Sequence, residues 1–522
     1  MGSPNYHSES NDDDLITGAV FSCPVMEKFT QCDRILVDDN VEIYGSNLHY
    51  QRSNKSLFGM TMQLTTQAII ICAPNWVGPD DTPEGICFAM DREQPTKQRV
   101  IFKYLRETLV RSNRPYESHN LFGFSIAYNH RNNDLLFGLP GFKDFSGAIC
   151  RFDENLTVEK IKLPEYRKTT TNTYSGYSVA FFPLDESFDV LLVSTPKYLN
   201  FKGKIELIDT NSRQVLATFM SKNDTMAEFY GATMLVVDID GDGQHELLVG
   251  APLYSISSKR REIGRVYVYG NIRQSMIGTR RLYSEQIIIS PLKAYGGRFG
   301  ANLAAVDLNL DRFMGNAPFE DDTGAIYIYY GTYRGLDIDN FKRITPENIG
   351  QQNQLGFGFN IWTETDFDSN GYADLVIGTL QRSFVLRSYP IINVNASMIF
   401  EPRGINFSDV RHCSGQRNPC FLTTYCIDLS SNRFQFSKHE LTFNVIISIT
   451  DRNLDLKEER VLRKHYNQTI RTKSNRYCSD KQPVRIVLKN KDDIFDIITP
   501  IEVQLSIGLQ SKQTEEFCPH CP

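Results

Sequence analysis

The stretch that decides the fold is residues 230–252, which read YGATMLVVDIDGDGQHELLVGAP. It begins with an aromatic residue and a glycine and ends with a Gly-Ala-Pro turn. Between them lie two apolar runs of strand length, separated by an acidic loop that contains glycine. Gly and Pro are typical boundaries of short strands, and closely spaced acidic residues can bind a hard cation. The stretch therefore predicts a β-strand repeat unit that carries a metal site.

The aromatic–glycine signal recurs along the chain. It occurs at Phe58-Gly59, Phe122-Gly123, Tyr174 to Gly176, Tyr230-Gly231, Phe299-Gly300 and Phe357-Gly358. The six glycines are separated by 64, 53, 55, 69 and 58 residues. A repeat of this length built from short strands is typical of a β-propeller. Unrelated β-sandwich domains are the alternative, but they do not repeat a turn at this spacing.

The count of repeat units predicts where the first one begins. Residues 18–21, Gly-Ala-Val-Phe, match the closing strand of a unit whose aromatic–glycine and Gly-Ala-Pro parts we expect upstream. We number this partial unit one, so that unit two begins at Phe58 and unit seven at Phe357. The sequence therefore predicts an all-β fold, with a seven-bladed β-propeller over residues 1–394 whose first blade is incomplete.

Unit five contains the strongest metal signal. Its loop places Asp238, Asp240, Asp242, Gln244 and Glu246 at alternate positions 1, 3, 5, 7 and 9. Side-chain oxygens at positions 1, 3, 5 and 9, with a backbone carbonyl at position 7, can wrap Ca²⁺. A β-strand follows the loop, in contrast to the helix of an EF-hand. A turn without an ion is the alternative for any single loop of this kind.

Unit seven repeats the series, and unit six only begins it. In unit seven the positions are occupied by Asp366, Asp368, Asn370, Tyr372 and Asp374. Unit six starts with Asp307, Asn309 and Asp311 but reaches its glycine early, so the ninth-position acid and most of a strand are expected to be missing. A metal site in unit six is therefore left open. Enclosure by protein ligands predicts a structural role for the bound ions.

The region after the repeats has a different pattern. From Asn395 onward the period stops and alternating apolar runs appear at 443–448, 484–488 and 501–507. With paired cysteines, this pattern predicts a β-sandwich over residues 395–522. Cys518 and Cys521 have the spacing of half a zinc site, but a disulfide fits better because no second ligand pair completes it.

Charge and apolar content exclude two classes of function. The net charge of -6 comes from 56 Lys+Arg against 62 Asp+Glu, which does not favour a nucleic-acid partner. No run approaches the roughly 18 apolar residues that a membrane-spanning helix needs. The amino terminus lacks the apolar core of a secretory signal, so we expect that the natural ends are missing.

The cysteines and sequons predict an extracellular protein. Eight of the 11 cysteines form local couples: Cys23 with Cys32, Cys72 with Cys87, Cys413 with Cys420, and Cys426 with Cys478. Cys150 has no such neighbour. Six Asn-x-Ser/Thr sequons occur, at Asn54, Asn155, Asn223, Asn395, Asn406 and Asn467. Disulfides and N-glycans both belong to an oxidising, secretory setting.

Together these motifs resemble the head of an integrin α subunit. The quoted matches are GAVFSCPV in the first unit, TYSGYSVA at Thr173, DIDGDGQHELLVGAP at Asp238 and VNASM at Val394. The order of Cys413, Cys420, Cys426 and Cys478 is similar to that of the family's Ig-like thigh domain. The resemblance implies a propeller followed by a thigh domain. It also implies a cell-surface receptor whose membrane span lies beyond Pro522.

The resemblance also implies partners. The family pairs with an integrin β subunit as a heterodimer and binds extracellular-matrix protein in a manner that depends on divalent cations. Aromatic residues around the propeller axis receive a basic side chain of the β subunit, and the matching positions here are Phe58, Phe122, Tyr174, Tyr230, Phe299 and Phe357. The alternative is that these aromatic side chains fill the blade cores.

The ligand class follows from what some family members require. Those that recognise Arg-Gly-Asp carry acidic residues where this chain has Ala127, Thr171 and Asn172. Without an acidic partner a ligand arginine loses its charge-assisted hydrogen bonds, so a laminin-type ligand is favoured.

Two other functions remain as alternatives. One is a truncated or soluble form that does not signal. The other is the propeller module of a secreted phospholipase-like enzyme. The nine histidines are scattered and neither HExxH nor GxSxG occurs, so no catalytic site is predicted.

Overall fold

The computed structural model is almost entirely β. It describes residues 2–3, 18–23, 32–37, 40–42, 49–51, 55–78, 82–92, 98–100, 119–153, 158–162, 172–185, 189–221, 227–275, 281–282, 286–306, 312–332, 335–351, 354–367, 370, 372–380, 382–388, 392–404, 418–431, 437, 440–451, 461, 463–479, 484–488 and 501–510. The chain separates into a larger region, residues 1–369 and 373–388, and a smaller region, residues 370–372 and 389–522.

In the described residues, the larger region consists of successive sheets whose strands are antiparallel, except where Arg281–Leu282 pairs in parallel with Val215–Phe219. The first two repeat units contain β1 Gly2–Ser3, β2 Ala19–Ser22, β3 Asp33–Ile35, β4 Asn40–Glu42, β5 His49–Gln51, β6 Thr61–Leu64, β7 Ala68–Ala73, β8 Ile86–Asp91 and β9 Gln98–Val100. Units three and four contain β10 Ser125–Tyr128, β11 Leu135–Leu139, β12 Ala148–Phe152, β13 Val158–Lys162, β14 Val179–Pro183, β15 Asp189–Thr195, β16 Lys204–Asp209 and β17 Val215–Phe219. The remaining units contain β18 Thr233–Val237, β19 Glu246–Ala251, β20 Arg265–Tyr269, β21 Arg281–Leu282, β22 Gln286–Ile289, β23 Leu303–Val306, β24 Arg312–Ala317, β25 Ala325–Thr332, β26 Gly335–Ile344, β27 Asn360–Thr365, β28 Asp374–Gly378 and β29 Ser383–Leu386.

Short helical turns connect some of these strands. They are α1 Phe142–Phe145, α2 Tyr198–Phe201 and α3 Ile272–Ser275, with 3-10 turns at Glu320–Asp322 and Pro346–Ile349. No helix in the described part of the chain is both long enough and apolar enough to cross a membrane.

The sheets are arranged as the blades of a propeller. Each full unit has the strand order 1-2-3-4, as in β10-β11-β12-β13. The first strands of successive units, β6, β10, β14, β18, β23 and β27, each lie beside the next in the series. Apolar side chains fill the space between sheets, as where Leu136 and Ile149 of unit three pack with Leu191 of unit four. The all-β propeller prediction is confirmed, while the number of blades that close the ring stays a prediction.

The aromatic–glycine turns join neighbouring units through the backbone. The amide of Phe299 donates to the carbonyl oxygen of Ile263 in the preceding unit at 3.0 Å, and Phe357 donates to Thr323 at 2.8 Å. The following glycine bonds within its own unit, since the Gly300 amide donates to the Asn316 oxygen at 2.8 Å. Each turn thereby fixes both the start of its own sheet and the distance to the sheet before it.

Glycines at two positions allow this close approach: the Gly264 position is glycine in units two to six, whereas the Gly250 position is glycine in some units and Cys72, Ser194 or Asn316 in others. A Cβ added at Gly264 would overlap the carbonyl oxygen of Phe299, and one added at Gly250 would overlap the carbonyl oxygen of Gly300. Gly264 also has a φ of +80°, which disfavours any side chain. The carbonyl of Gly300 accepts a further hydrogen bond from the Thr233 hydroxyl at 3.0 Å. Repulsion from a single methyl group at either glycine would push two sheets apart.

The structure corrects the prediction for unit one. Gly2 pairs with Val20 in the register in which Gly250 pairs with Val266. A Cβ at Gly2 would overlap the carbonyl oxygen of Gly59, as one at Gly250 overlaps that of Gly300. Gly2 and Ser3 therefore occupy the Gly-Ala part of unit one. This part lies upstream of residues 18–21, as expected, but it belongs to the chain, which was not recognised from the sequence.

The structure also corrects the prediction for unit six. The strand β24 forms six residues of sheet, pairing with β23 on one side and β25 on the other. The expectation that most of this strand is missing is wrong. A lost second strand would leave the ladders of both neighbours unpaired, and β24 avoids that loss.

The smaller region contains two sheets that face each other. One has the order β30 Asn393–Glu401, β31 Cys420–Ser430 and β34 Arg476–Cys478, with β35 Val484–Val487 also paired to β31. The other has the order β33 His465–Thr472, β32 Leu441–Asp451 and β36 Ile501–Leu509. Tyr425 and Ile427 of the first sheet pack with Phe443, Val445 and Ile447 of the second. This is a β-sandwich core, and the predicted boundary after residue 394 falls inside β30.

The glycine contacts lead to a stability prediction. Replacing Gly250 with Ala should lower the free energy of unfolding by about 1–3 kcal/mol, since the new methyl group overlaps the Gly300 carbonyl. Gly378 occupies the same place in unit seven, where an added Cβ would make only ordinary contacts of 3.4–3.6 Å with Asn360. The matched control Gly378→Ala should therefore cost much less. Chemical unfolding in calcium measures both, and equal losses would contradict the account.

Candidate metal centre

The acidic loop of unit five is organised by its own carboxylates. Asp238 accepts hydrogen bonds from the Gly241 amide at 2.8 Å and the Gly243 amide at 2.9 Å. Asp242 accepts one from the Gln244 amide at 2.7 Å. Gly241 and Gly243 have φ values of +74° and +85°, which bend the backbone tightly between β18 and β19. The loop is therefore folded around the oxygen ligands that the sequence predicts.

Glu246 is the buried carboxylate at the bottom of the acidic loop. It is the first residue of β19, is 6% exposed and accepts a hydrogen bond from the Ile239 amide at 2.8 Å. Burial raises the pKa of Glu246 to about 7; the Ile239 hydrogen bond opposes this rise and the nearby carboxylates of Asp240, Asp238 and Asp242 add to it. Burial and the neighbouring carboxylates also raise the pKa of Asp240. Ionised carboxylates at this point carry an electrostatic cost that a bound cation would remove.

Three carboxylates converge in this loop. Oxygens of Asp238, Asp240 and Glu246 lie within 4.8 Å of one another and can together hold a metal ion. In the described part of the chain, no Lys or Arg forms an ion pair with any of the three. Hard carboxylate oxygens without a cationic side chain fit a divalent cation of the Ca²⁺ or Mg²⁺ type.

Unit three shows how the same position is neutralised without a metal. Strand register places Asp134 where unit five has Glu246, because each lies four residues before the glycine that is next to last in the second strand. Arg151 donates to the Asp134 carboxylate from Nε at 2.8 Å and also from Nη2. An arginine thus supplies the positive charge in unit three. Unit five has the carboxylates without the arginine.

The same register shows which residue occupies the Glu246 position in the other units. The position holds Ala68 in unit two, Val190 in unit four, Arg312 in unit six and Asp374 in unit seven. Units two and four have no acid there. Unit six likewise has no acid at this position. Asp307, Asn309 and Asp311 lie outside the described residues.

Unit seven repeats two contacts of the unit-five loop. Asp374 accepts a hydrogen bond from the Phe367 amide at 2.8 Å, as Glu246 does from Ile239. Asn370 accepts one from the Tyr372 amide at 2.8 Å, as Asp242 does from Gln244. Asp374 is completely buried and Asp366 is half-buried, while Asp368 lies outside the described residues. The shared pattern makes unit seven a second candidate loop.

The predicted aromatic contact residues have a different location from that expected. Phe58, Phe122, Tyr230, Phe299 and Phe357 are each 0% exposed and pack inside the sheets. A partner chain cannot reach these five side chains, so the expectation that they form its contact surface is wrong. They fill the blade cores, which was the alternative.

Tyr174 does not belong to that buried series. The residue that bridges to the preceding unit is Ser175, which pairs with Gly147. Tyr174 has a φ of +60° and aligns with Leu57, Leu121 and Phe229, whose φ values are 59°, 56° and 58°. It is half-buried, and the Lys197 ammonium lies 3.6 Å from its ring centroid. Tyr174 alone of the predicted set reaches the surface.

Sequence reasoning missed the side chains that follow the turn glycines. Phe124 and Tyr177 are half-buried, and their ring centroids lie 4.8 Å apart. Tyr177 also contacts Phe229 at 5.2 Å. Met60 and Phe359 occupy the same position in units two and seven, at 37% and 48% exposure. The signal that would have found them is the large apolar or aromatic residue that directly follows the turn glycine in several units.

The cysteines and sequons are described only in part. Disulfides join Cys23 to Cys32, Cys72 to Cys87 and Cys426 to Cys478, and Cys420 is also disulfide-bonded. Cys150 is free and buried. The sequon residues Asn395 and Asn467 are exposed. The other predicted residues lie outside the described part: Cys413, Cys518, Cys521, Asn54, Asn155, Asn223 and Asn406.

Comparison with known families identifies both regions. The integrin alpha Ig-like domain 1 model matches residues 388–522, and the FG-GAP repeat model matches residues 230–269. The second match covers the aromatic–glycine turn, the acidic loop and the Gly-Ala-Pro turn of unit five. Both regions of the chain therefore match families of known architecture.

Individual relatives extend the similarity to nearly the whole chain. Integrin alpha-8 of Gallus gallus is 25% identical over 99% of this chain and 52% of its own length. Integrin alpha-7 of Rattus norvegicus is 25% identical over 96% of this chain and 46% of its own length. Integrin alpha-11 of Homo sapiens is 32% identical over 56% of this chain. The chain spans about half the length of the first two relatives.

The metal centre predicts that a substitution at Glu246 changes the stability of the chain differently in calcium and in chelator. Glu246→Gln removes one of the converging charges, so in chelator the variant should be at least as stable as the original chain. In calcium it should be less stable, because the ion loses a ligand. Thermal unfolding in calcium and in chelator measures the difference.

The matched control for this experiment is Asp134→Asn in unit three. Asp134→Asn should lower the stability of the chain by the same amount in calcium and in chelator, because Arg151 and not a metal neutralises Asp134. If Glu246→Gln instead lowered the stability equally in calcium and in chelator, the metal centre would be excluded.

Proposed function

We propose, from the premise that this chain belongs to the integrin alpha subunits, that it forms the ligand-binding head of a cell-adhesion receptor. The observation that carries the proposal is the alignment with integrin alpha-8 over 99% of the chain. The propeller, the acidic loops and the disulfide-bonded sandwich occur in the same order as the matched families. The role is binding at the cell surface, without catalysis.

We infer that the ion of units five and seven is Ca²⁺. The ligand set consists of carboxylates, an amide oxygen and backbone carbonyls, and Ca²⁺ accepts six to eight oxygens in flexible geometry. Mg²⁺ demands a stricter octahedron and usually retains several waters. The loops lie at the edge of the sheets between the first and second strands, so the ion stabilises its own loop and takes no part in chemistry.

The partner of the propeller is proposed to be an integrin β subunit. The half-buried aromatic residues Phe124, Tyr177 and Phe229 form a connected surface across units three, four and five. Partly exposed aromatic side chains are enriched among the residues that dominate protein interfaces. This surface, with Tyr174, replaces the buried aromatic set as the proposed contact region.

The proposed ligand is extracellular-matrix protein of the laminin type. Lys197 lies beside Tyr174, and its ammonium donates to the Asn172 side chain at 3.3 Å. A positive charge at this point repels a ligand arginine, and Asn172 offers no carboxylate to bind one. An Arg-Gly-Asp ligand is therefore disfavoured at this surface.

The heterodimer is tested by co-expression. The chain, secreted behind a signal peptide with an integrin β-subunit ectodomain, should elute from size-exclusion chromatography in calcium as a heterodimer. A chain that is secreted and folded but remains alone would contradict the proposal. Binding of the heterodimer to immobilised laminin, with an Arg-Gly-Asp peptide as competitor, then tests the ligand class.

The contact surface is tested by two substitutions that differ in burial. Tyr177→Ala should weaken pairing roughly tenfold or more while lowering the free energy of unfolding of the isolated chain much less than a core substitution does. Phe122→Ala should instead destabilise the chain itself by about 3–5 kcal/mol, since it empties a core position. Unchanged pairing in the Tyr177 variant would remove this surface from the proposal.

A further inference from the structure

An exposed group of positive side chains lies on two loops of units five and six. Lys259, Arg260 and Arg261 are exposed on the loop at residues 255–262, and Lys293 is exposed on the loop at residues 290–298. In the described part of the chain, none of these four forms an ion pair with Asp or Glu. The four residues are called the basic patch.

Backbone hydrogen bonds hold the two loops together. The Gly296 amide donates to the Arg261 oxygen at 3.0 Å, and the Arg298 amide donates to the Glu262 oxygen at 2.8 Å. The first loop is closed by the Arg260 amide, which donates to the Ser257 oxygen at 3.0 Å. Side chains of the basic patch take no part in these bonds, so they are presented to solvent by a backbone that is already ordered.

The nearby acidic residues are mostly neutralised by other arginines. Glu262 pairs with Arg298 at 2.6 Å. On the unit-six side, Glu320 and Asp321 both pair with Arg343, at 2.7 Å and 3.4 Å. The basic patch therefore keeps its positive charge, although the whole chain has a net charge of -6.

Large apolar side chains are exposed on the same two loops. Tyr295 is 68% exposed, Leu292 is 52% exposed and Ile256 is 45% exposed. A tyrosine ring combines an apolar face with a hydroxyl group. A sugar ring has the same combination of an apolar face and hydroxyl groups, and it can pack against such a side chain.

We propose that the basic patch binds a sulfated polysaccharide of the extracellular matrix. Unpaired Lys and Arg on adjacent residues attract a linear polyanion, and short runs of this composition occur in nucleic-acid and heparin sites. The disulfides place the chain in an extracellular setting, where sulfated sugars and not nucleic acids are the abundant polyanions. Sulfate groups bind the guanidinium and ammonium groups, and a sugar ring packs on Tyr295. The surface is separate from the metal centre, and its binding does not depend on the β subunit.

The test uses the full secreted chain and immobilised heparin, at NaCl concentrations above and below physiological. The variant carries Lys259→Gln, Arg260→Gln, Arg261→Gln and Lys293→Gln. Its affinity for heparin should fall at least about tenfold, with a shallower dependence on salt, because fewer counterions are released. The matched control carries Lys55→Gln, Arg92→Gln, Arg213→Gln and Arg382→Gln, four exposed cations elsewhere on the larger region. It has the same net charge and should bind within about twofold of the original chain.

Further arms distinguish a sulfated sugar from other anions. Desulfated heparin and vesicles of phosphatidylserine should bind at least about tenfold more weakly than heparin. An equal loss of heparin affinity in the variant and in its control would overturn the proposal. Tighter binding to the vesicles than to heparin would also overturn it. Unfolding midpoints of both variants in calcium verify that the chains are folded.

Discussion

The fold depends on the close approach of each aromatic–glycine turn to the unit before it. The carbonyl oxygens of Phe299 and Gly300 lie against the α-carbons of Gly264 and Gly250, where no side chain fits. Backbone hydrogen bonds between Phe299 and Ile263 fix the same approach. Because the contact at the Gly264 position recurs in successive units, it sets the spacing of the sheets, and apolar side chains then fill the space between them. The burial of the turn aromatics is a consequence of this spacing.

At the edge of the sheets, each acidic loop brings a buried carboxylate together with groups that can neutralise its negative charge. An acid at the start of the second strand accepts a hydrogen bond from a backbone amide of the loop, as Glu246 and Asp374 do. In unit three, Arg151 neutralises the corresponding Asp134. In unit five, Asp238 and Asp240 converge on Glu246 instead, and together they can hold a divalent cation that would supply the positive charge. One backbone geometry thus accommodates either an ion pair or an ion.

Much of the fold could be predicted from sequence, since the period near 60 residues and the strand composition indicate a propeller. The acidic loop of unit five could also be predicted, because its candidate ligands lie close together in sequence. The orientation of Phe122 and its equivalents was not, since a pattern of letters does not state which side of a turn faces the core. Gly2 was missed because its place is defined by pairing with Val20, and the strand β24 was missed because a deletion can shorten a loop without removing a strand. Contacts between distant residues, such as that of Thr233 with Gly300, left no local signal.

The central claim is that glycine packing holds the sheets together, while the ion acts only on its own loop. Hydrogen–deuterium exchange of the chain in calcium and in chelator tests this claim most directly. The account predicts that chelation speeds exchange at the amides of Ile239, Gly241 and Gly243, and that the amides of Phe299 and Phe357 stay protected. Loss of protection at these aromatic–glycine turns on chelation would contradict it, because the ion would then hold the whole ring.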